Sequence, residues 1–322
     1  MEIERLEAWL AAADPAPWVV ETSGSTGAPK RVALSRSAVL ASVAASARRL
    51  GGSGRWLLAL PPSYVAGVQV ICRSLVAGHR PVLLEDHGSF GEAARGADFV
   101  SLVPTQLRRL LDTDAEALRS FHTVLLGGGP VDPALRRRAE EAEVRVVATY
   151  GSAETAGGCV YDGYALDGVA VAIDAGGRIR IAGPTLFEGY DGDPVGTAEV
   201  LVDGWFLTSD AGRLDEDGRL HVLGRIDDIV VSGGVNVPAP AVAARLREHP
   251  DVVAAEVLGV PDEEWGNRLV AFVVGAVSLE DVRAWVGETH ARSWAPRQLV
   301  VLDGIPLLPN GKPDRLRLRA MA

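Results

Sequence analysis

One short segment near the N-terminus gathers hydroxyls, glycines and an ammonium. Thr22-Ser-Gly-Ser-Thr-Gly-Ala-Pro-Lys30 follows a run, Trp18–Thr22, that reads as a strand. Its glycines, Gly24 and Gly27, let the chain turn sharply and expose backbone N–H groups. The hydroxyls of Thr22, Ser23, Ser25 and Thr26 and the charge of Lys30 complete a cradle for an anion. It is not the Walker loop: Pro29 precedes the lysine, and neither serine nor threonine comes after it. Taken alone, a Ser/Gly string of this kind also fits a solvated surface loop. The lysine count favours the chemical reading. Of 32 basic residues only Lys30 and Lys312 are lysines, and a lysine offers a compact point charge that arginine does not reproduce. A GC-rich genome accounts for the arginine excess and leaves these two positions to be explained. Lys312 stands in a second Pro/Gly-rich string, Pro306-Leu-Leu-Pro-Asn-Gly-Lys-Pro-Asp314.

Four further strings could bind a nucleotide or a small acid. Gly127-Gly-Gly-Pro130, with Gly127, Gly128 and Gly129 bare, would let a flat ring lie against the backbone. Thr149-Tyr-Gly-Ser-Ala-Glu-Thr155 ends a predicted strand and offers a tyrosine ring and a carboxylate, a suitable ligand for a hard cation. Gly204-Trp-Phe-Leu-Thr-Ser-Asp-Ala-Gly212 carries Asp210, and Gly224-Arg-Ile-Asp-Asp-Ile-Val-Val-Ser-Gly-Gly234 carries Arg225 and Asp227. In isolation each also fits a turn or strand end.

The elements that must hold these residues change character along the chain. Up to about residue 150, short apolar runs (Trp56–Leu60, Pro81–Leu84, Phe99–Val103, Val124–Leu126, Val144–Tyr150) alternate with stretches of helical periodicity (from Ser37, Ala66–Ala77, Thr105–Leu111, from Asp132). That alternation predicts a parallel sheet covered by helices. After Tyr161, turn signals crowd between short β-rich runs at Arg178–Ala182, Glu199–Val202 and Leu220–Leu223, as in a small barrel-like β region. Beyond Arg225 comes a small α+β unit, with a helix near Pro240, strands at Val252–Val260, Leu269–Val274 and Val300–Leu302, and a helix over Leu279–Gly287. The expectation is an α/β chain. The expected division is a large N-terminal domain, 1–226, and a small C-terminal domain, 227–322. At 322 residues the chain is long for one core. The net charge of −10 argues against nucleic acid, and no apolar run suits membrane insertion. Cys72 and Cys159 lack metal-ligand spacing and read as reduced core thiols of a cytoplasmic protein.

The phosphate string, with the Tyr-Gly-Ser-Ala-Glu segment, resembles the adenylate-forming superfamily of acyl-CoA synthetases, nonribosomal-peptide adenylation domains and luciferases. The resemblance covers nearly the whole chain. It implies that Thr22, Ser23, Gly24, Ser25, Thr26, Gly27 and Lys30 hold the ATP phosphates. It implies that Gly127, Gly128, Gly129, Tyr150 and Gly151 receive adenine, and Asp210 and Arg225 the ribose. By the same resemblance Glu154 holds Mg²⁺, Lys312 is the catalytic lysine at the α-phosphate, and Asp227 is the hinge about which the C-terminal domain turns as a mobile lid on an N-terminal domain that binds ATP and acid. The family likeness also gives Gly233, Gly234 and Asn236 the passage for coenzyme A. The sequence departs from the pattern at Ala153, where the family carries Thr or Ser. The missing hydrogen bond is worth about 0.5–1.5 kcal/mol, and Ala153→Ser is expected to speed adenylation, as pyrophosphate exchange would show.

Among relatives, the short o-succinylbenzoate–CoA ligases of menaquinone synthesis are most similar, through Leu60-Pro-Pro-Ser-Tyr-Val-Ala-Gly67, Val103-Pro-Thr-Gln-Leu107 and Glu154-Thr-Ala-Gly-Gly-Cys-Val-Tyr-Asp162. Tyr64 is then a pocket-shaping residue. Arg73, in the middle of an almost wholly apolar stretch, needs an anion if buried, and the resemblance gives it the carboxylate of the acid that is not activated. The other reading is an internal Asp/Glu partner, or solvent. The expected reaction joins a small carboxylic acid to CoA at the expense of ATP, in a chain that, if it self-associates, forms a homodimer. Three rivals stand beside it: a ligase for another aromatic or aliphatic acid, an enzyme loading a carrier protein, and a nucleotide-binding protein that has lost catalysis.

Overall fold

The computed structural model describes residues 2–22, 30–307 and 313–322. By packing, the chain divides into two compact units. The first comprises Met1–Ala172 with Arg180–Thr208 and Leu214–Leu220, and the second Ile173–Ile179 with Ser209–Arg213 and His221–Ala322.

In the first unit, helix α1 (Glu2–Ala11) buries Ile3, Leu6 and Trp9 along one stripe. The strand Trp18–Glu21 pairs antiparallel with Arg31–Leu34, which pairs on its other edge with the short strand Gly189–Tyr190. Helix α2 (Arg36–Leu50) starts where the Ser35 hydroxyl accepts from the Ala38 amide at 3.1 Å. It stops at Gly51, whose φ of 81° is left-handed. Helix α3 (Val65–Val76) is buried continuously from Gly67 to Ser74. Each apolar side chain it buries fully, such as Val68 or Ile71, contributes about 1.5–3 kcal/mol relative to exposure.

The expected parallel sheet is present. Its seven strands run in the order Val82–Leu83, Trp56–Leu58, Phe99–Leu102, Thr123–Leu126, Val146–Ser152, Gly157–Tyr161 and Tyr164–Ala165. The first five are parallel and the last two return antiparallel. Parallel strands buried on both faces explain the continuous apolar runs: Phe99–Leu102 and Thr123–Leu126 are buried at every position.

The β-rich region is a five-stranded sheet in which Trp205–Leu214 pairs with Arg178–Ala182, Leu201–Val202 and Leu220–Arg225, with Ala170–Ile173 at the edge. One expectation needs correction here. Glu199–Val202 reads as a strand, but Pro194–Val200 is helical and only Leu201–Val202 is extended. The Asp193 side chain accepts from the Gly196 amide at 2.8 Å and Pro194 occupies the first turn, a strong helix start that outweighs the β-branched residues after it.

The second unit centres on a three-stranded sheet. Val252–Asp262 and Gly266–Gly275 form an antiparallel pair, and Gln298–Val301 adds in parallel. Helices Ala239–Arg247 and Leu279–Gly287 cover it through Val242, Leu246, Val282 and Val286. A hairpin, Ile229–Ser232 with Val235–Pro238, turns at Gly233-Gly234. Both glycines have positive φ (57° and 77°), as a tight two-residue hairpin turn requires. Among the described residues no helix is long and apolar enough to cross a membrane.

Candidate active site

Glu154 is held from several sides. It sits in a 3₁₀ turn, Ala153–Thr155, at the end of the strand Val146–Ser152, and is 9% exposed. The turn closes on Ala156, which holds a left-handed φ of 49°. A non-glycine residue there needs external support. The Ala156 carbonyl has it, accepting from Ser42 Oγ on α2 (3.1 Å) and from Gln69 Nε2 on α3 (2.7 Å). From the other side the Phe187 amide donates to the Glu154 carbonyl at 2.9 Å.

The Glu154 side chain is anchored as well. The Tyr190 hydroxyl donates to Glu154 Oε1 at 2.9 Å, and Lys30 Nζ lies 3.4 Å from the same hydroxyl and 4.5 Å from the centre of its ring. Burial first, and then the charge of Glu154, push the Tyr190 phenol well above its ordinary pKa, so at neutral pH it keeps the proton it donates. Strand pairing explains the meeting: Tyr190 faces Val32 across the sheet, and Lys30 is Val32's same-face neighbour two residues earlier. Phe187 and Tyr190 pack ring to ring at 5.2 Å.

The adenine segment is tight at one point. A Cβ on Gly151 would lie 2.2 Å from the Gly157 carbonyl oxygen, so only glycine fits where this strand meets its antiparallel neighbour. Gly127, at the end of the adjacent strand, lies against Thr149, the residue before Tyr150. Ser152 Oγ is buried with no hydrogen-bond partner among the described residues. Ala153 is buried in the apolar cluster with Val20, Val68 and Ile71.

Arg73 is 7% exposed, near the C-terminal end of α3. Its guanidinium carbon lies 4.9 Å from the Trp56 ring centre, its NH2 group donates to the Tyr161 hydroxyl at 3.2 Å, and its Nε is buried without a partner among the described residues. Among those residues no carboxylate stands within ion-pair distance of it. Tyr64 precedes the first turn of the same helix and is exposed. In the second unit Arg225 NH1 and Asp210 Oδ1 are 3.8 Å apart, and Asp227 is exposed on a 3₁₀ turn, Ile226–Asp228. Asp227, Asp228, Asn267 and Arg315 line a pocket within that unit. Asn236 is exposed on the hairpin, and a Cβ on Gly233 would lie 2.6 Å from the Trp265 ring. Ser23, Gly24, Ser25, Thr26, Gly27 and Lys312 lie outside the described residues. Both cysteines are free, and burial pushes each thiol up to about 12.

With a buried carboxylate, a glycine-walled strand end and a lysine closing the hydroxyl-rich string, residues 6–191 match the family described as AMP-binding enzyme, and residues 241–312 match the AMP-binding enzyme C-terminal domain. The chain belongs to the AMP-binding enzyme family. A curated relative from Mycobacterium tuberculosis, a probable 2-succinylbenzoate–CoA ligase, is 42% identical over 95% of this chain and 84% of its own length. A 2-succinylbenzoate–CoA ligase from Listeria monocytogenes is 32% identical over 94% of this chain and 69% of its own. Among solved structures, o-succinylbenzoate CoA synthetase from Bacillus subtilis in complex with its acyl-adenylate intermediate superposes with a TM-score of 0.79 at 29% identity, covering 94% of this chain and 68% of that one. An amide bond synthetase from Marinactinospora thermotolerans superposes with a TM-score of 0.78 at 32% identity, covering 94% and 69%.

In this AMP-binding enzyme Tyr190, Gln69 and Ser42, whose side chains hold the Glu154 turn, have no role assigned from the sequence. Gln69 carried a usable signal, a lone amide inside the apolar run of α3, where a buried polar group must bond something. Tyr190 carried none, its contact with Glu154 being made across 36 positions.

Proposed function

We propose that this AMP-binding enzyme is an o-succinylbenzoate–CoA ligase that works through an acyl-adenylate. The observation that carries the reading is the 42% identity with the Mycobacterium tuberculosis ligase over 95% of the chain. In the first half-reaction a carboxylate oxygen of the acid attacks the α-phosphorus of ATP, the bond to the β-phosphate oxygen breaks, and pyrophosphate leaves. In the second, the thiolate of coenzyme A attacks the acyl carbonyl, AMP leaves, and the thiol proton passes to solvent.

The residues divide this work. Thr22, Ser23, Gly24, Ser25, Thr26, Gly27 and Lys30 hold the phosphates, Gly127, Gly128, Gly129, Tyr150 and Gly151 the adenine, and Asp210 and Arg225 the ribose. Lys312 meets the charge that develops at the α-phosphate. The segment 227–322 turns about Asp227 between the half-reactions, and Gly233, Gly234 and Asn236 border the path of the thiol. Arg73 offers its uncommitted Nε to the second carboxylate of the acid, with Tyr64 at the entrance.

The donor set suits Mg²⁺. Glu154 would offer such an ion a hard carboxylate oxygen, and phosphate and water would supply the other ligands. Glu154 Oε1 is held by Tyr190, and no hydrogen bond within the described structure engages its second oxygen. Bound there, Mg²⁺ would neutralise phosphate charge as pyrophosphate leaves.

The test is direct. Purified protein with MgATP and a panel of aromatic and aliphatic acids is assayed for pyrophosphate release, and the product with CoA is weighed by mass spectrometry. The reading requires o-succinylbenzoate to give the highest kcat/KM and a CoA thioester. A preferred acid of another kind, or an acyl group found only on an amine or a carrier protein, defeats it. The amine arm is included because of the resemblance to the amide bond synthetase.

A further inference from the structure

Tyr190 is 7% exposed. Its hydroxyl has one proton to give. Lys30 carries only donors, so toward the lysine the hydroxyl must accept, and its proton is committed to Glu154. The direction of the chain is therefore fixed: ammonium to phenol oxygen, phenol proton to carboxylate. Charges of opposite sign terminate it, and hydrogen bonds in such a chain polarise one another.

The same short segment grips Glu154 twice, by the Phe187 amide on its carbonyl and by the Tyr190 hydroxyl on its Oε1. Tyr190 is itself tied down. Its amide donates to Thr197 Oγ1 at 2.8 Å, its ring packs on Phe187, and its strand is registered against Arg31–Leu34. The residue thus transmits the position of the strand that begins just after Lys30 to a carboxylate 124 positions on.

We propose that Tyr190 is a positioning residue for adenylation: its hydroxyl fixes the rotamer of Glu154, leaves one defined oxygen for the nucleotide-bound cation, and keeps the Lys30 ammonium beside it. This rests on the metal role proposed above for Glu154 and adds the residue that aims it. A ligand carboxylate whose hydrogen-bonded partner is removed typically loses about 10–100-fold in metal affinity or activity.

The experiment compares Tyr190→Phe, Glu154→Gln and the double variant with the unaltered chain. Calorimetry gives the affinity of each for a Mn²⁺ complex of a non-hydrolysable ATP analogue, and pyrophosphate exchange gives the Mg²⁺ concentration for half-maximal rate. Tyr190→Phe keeps the ring, its packing and its face toward Lys30, and thermal melting checks that the fold is kept. The expected result is a loss of about 10-fold or more in Mn²⁺–nucleotide affinity and a matching rise in the Mg²⁺ requirement for Tyr190→Phe, with the double variant no worse than Glu154→Gln. Should Glu154→Gln bind the Mn²⁺ complex normally, the metal role of Glu154 falls. Should it bind weakly while Tyr190→Phe behaves as the unaltered chain, or should the two losses multiply in the double variant, the positioning role of Tyr190 is overturned and the metal role survives.

Discussion

Glu154 and Asp228 are both carboxylates on three-residue 3₁₀ turns, and both are linked to a cation, yet the links differ in kind. Asp228 meets Arg315 directly: two guanidinium nitrogens face its two oxygens, with the side chains 21% and 43% exposed. Both oxygens are spent, and the pair is partly wet. Glu154 reaches Lys30 only through a phenol, is almost wholly buried, and commits one oxygen. A direct fork closes a carboxylate off, whereas a bridged contact holds it still and leaves half of it free. The first arrangement suits a fastening and the second suits a ligand.

The largest expected effect is at Lys312, the lysine proposed to meet charge at the α-phosphate. Lys312→Ala should lower adenylation by at least about 100-fold while leaving thioester formation from preformed acyl-adenylate near normal. Separate assays of the two half-reactions check this, and equal loss in both would erase the division of labour. Next comes the proposed acid pocket: Arg73→Gln should raise KM for o-succinylbenzoate about tenfold or more with a smaller change in kcat, the mark of a lost charge-assisted contact. An unchanged KM would reduce Arg73 to a core cation stacked on Trp56.

The contrast between the two turns predicts a small effect for Asp228→Asn. A partly exposed ion pair is worth about 0–1 kcal/mol, so its melting temperature should fall by no more than a few degrees and adenylation should be unaltered. A large kinetic defect would mean that the fork at Arg315 does more than fasten. The smallest effect concerns the thiols. Burial raises both from about 9 to about 12. The stability this burial represents is therefore intact below pH 9 and declines as pH rises from 9 toward 12, because the unfolded chain releases those protons first. Native protein at pH 8 should resist iodoacetamide, and protein unfolded in urea should take up two equivalents. Rapid native labelling would show that the core opens readily around Cys72 or Cys159.

The parallel sheet was legible in the sequence because its strands are buried on both faces and leave uninterrupted apolar runs, as at Phe99–Leu102. The Glu154 segment was legible because its residue types and order are distinctive. The way it is held was not. Tyr190 meets Lys30 across 160 positions, by strand pairing that no local pattern announces. Ser42 and Gln69 converge on one carbonyl from two helices. The helix Pro194–Val200 differs from the expected strand for a local reason, the capped start at Asp193-Pro194. Arg73 was expected to be buried and is. Its stacking on Trp56 depends on how α3 crosses the sheet, which periodicity leaves open.

Gln69 belongs to the helix that begins just after Tyr64 and also carries Arg73. One rigid rod therefore joins the mouth of the proposed acid pocket, the proposed specificity arginine and the brace beneath the Glu154 turn. Directed evolution that varies this rod to admit a new acid would also shift the brace. Altered selectivity should then arrive together with slower turnover, until compensating changes on α2 reset the Ser42 contact.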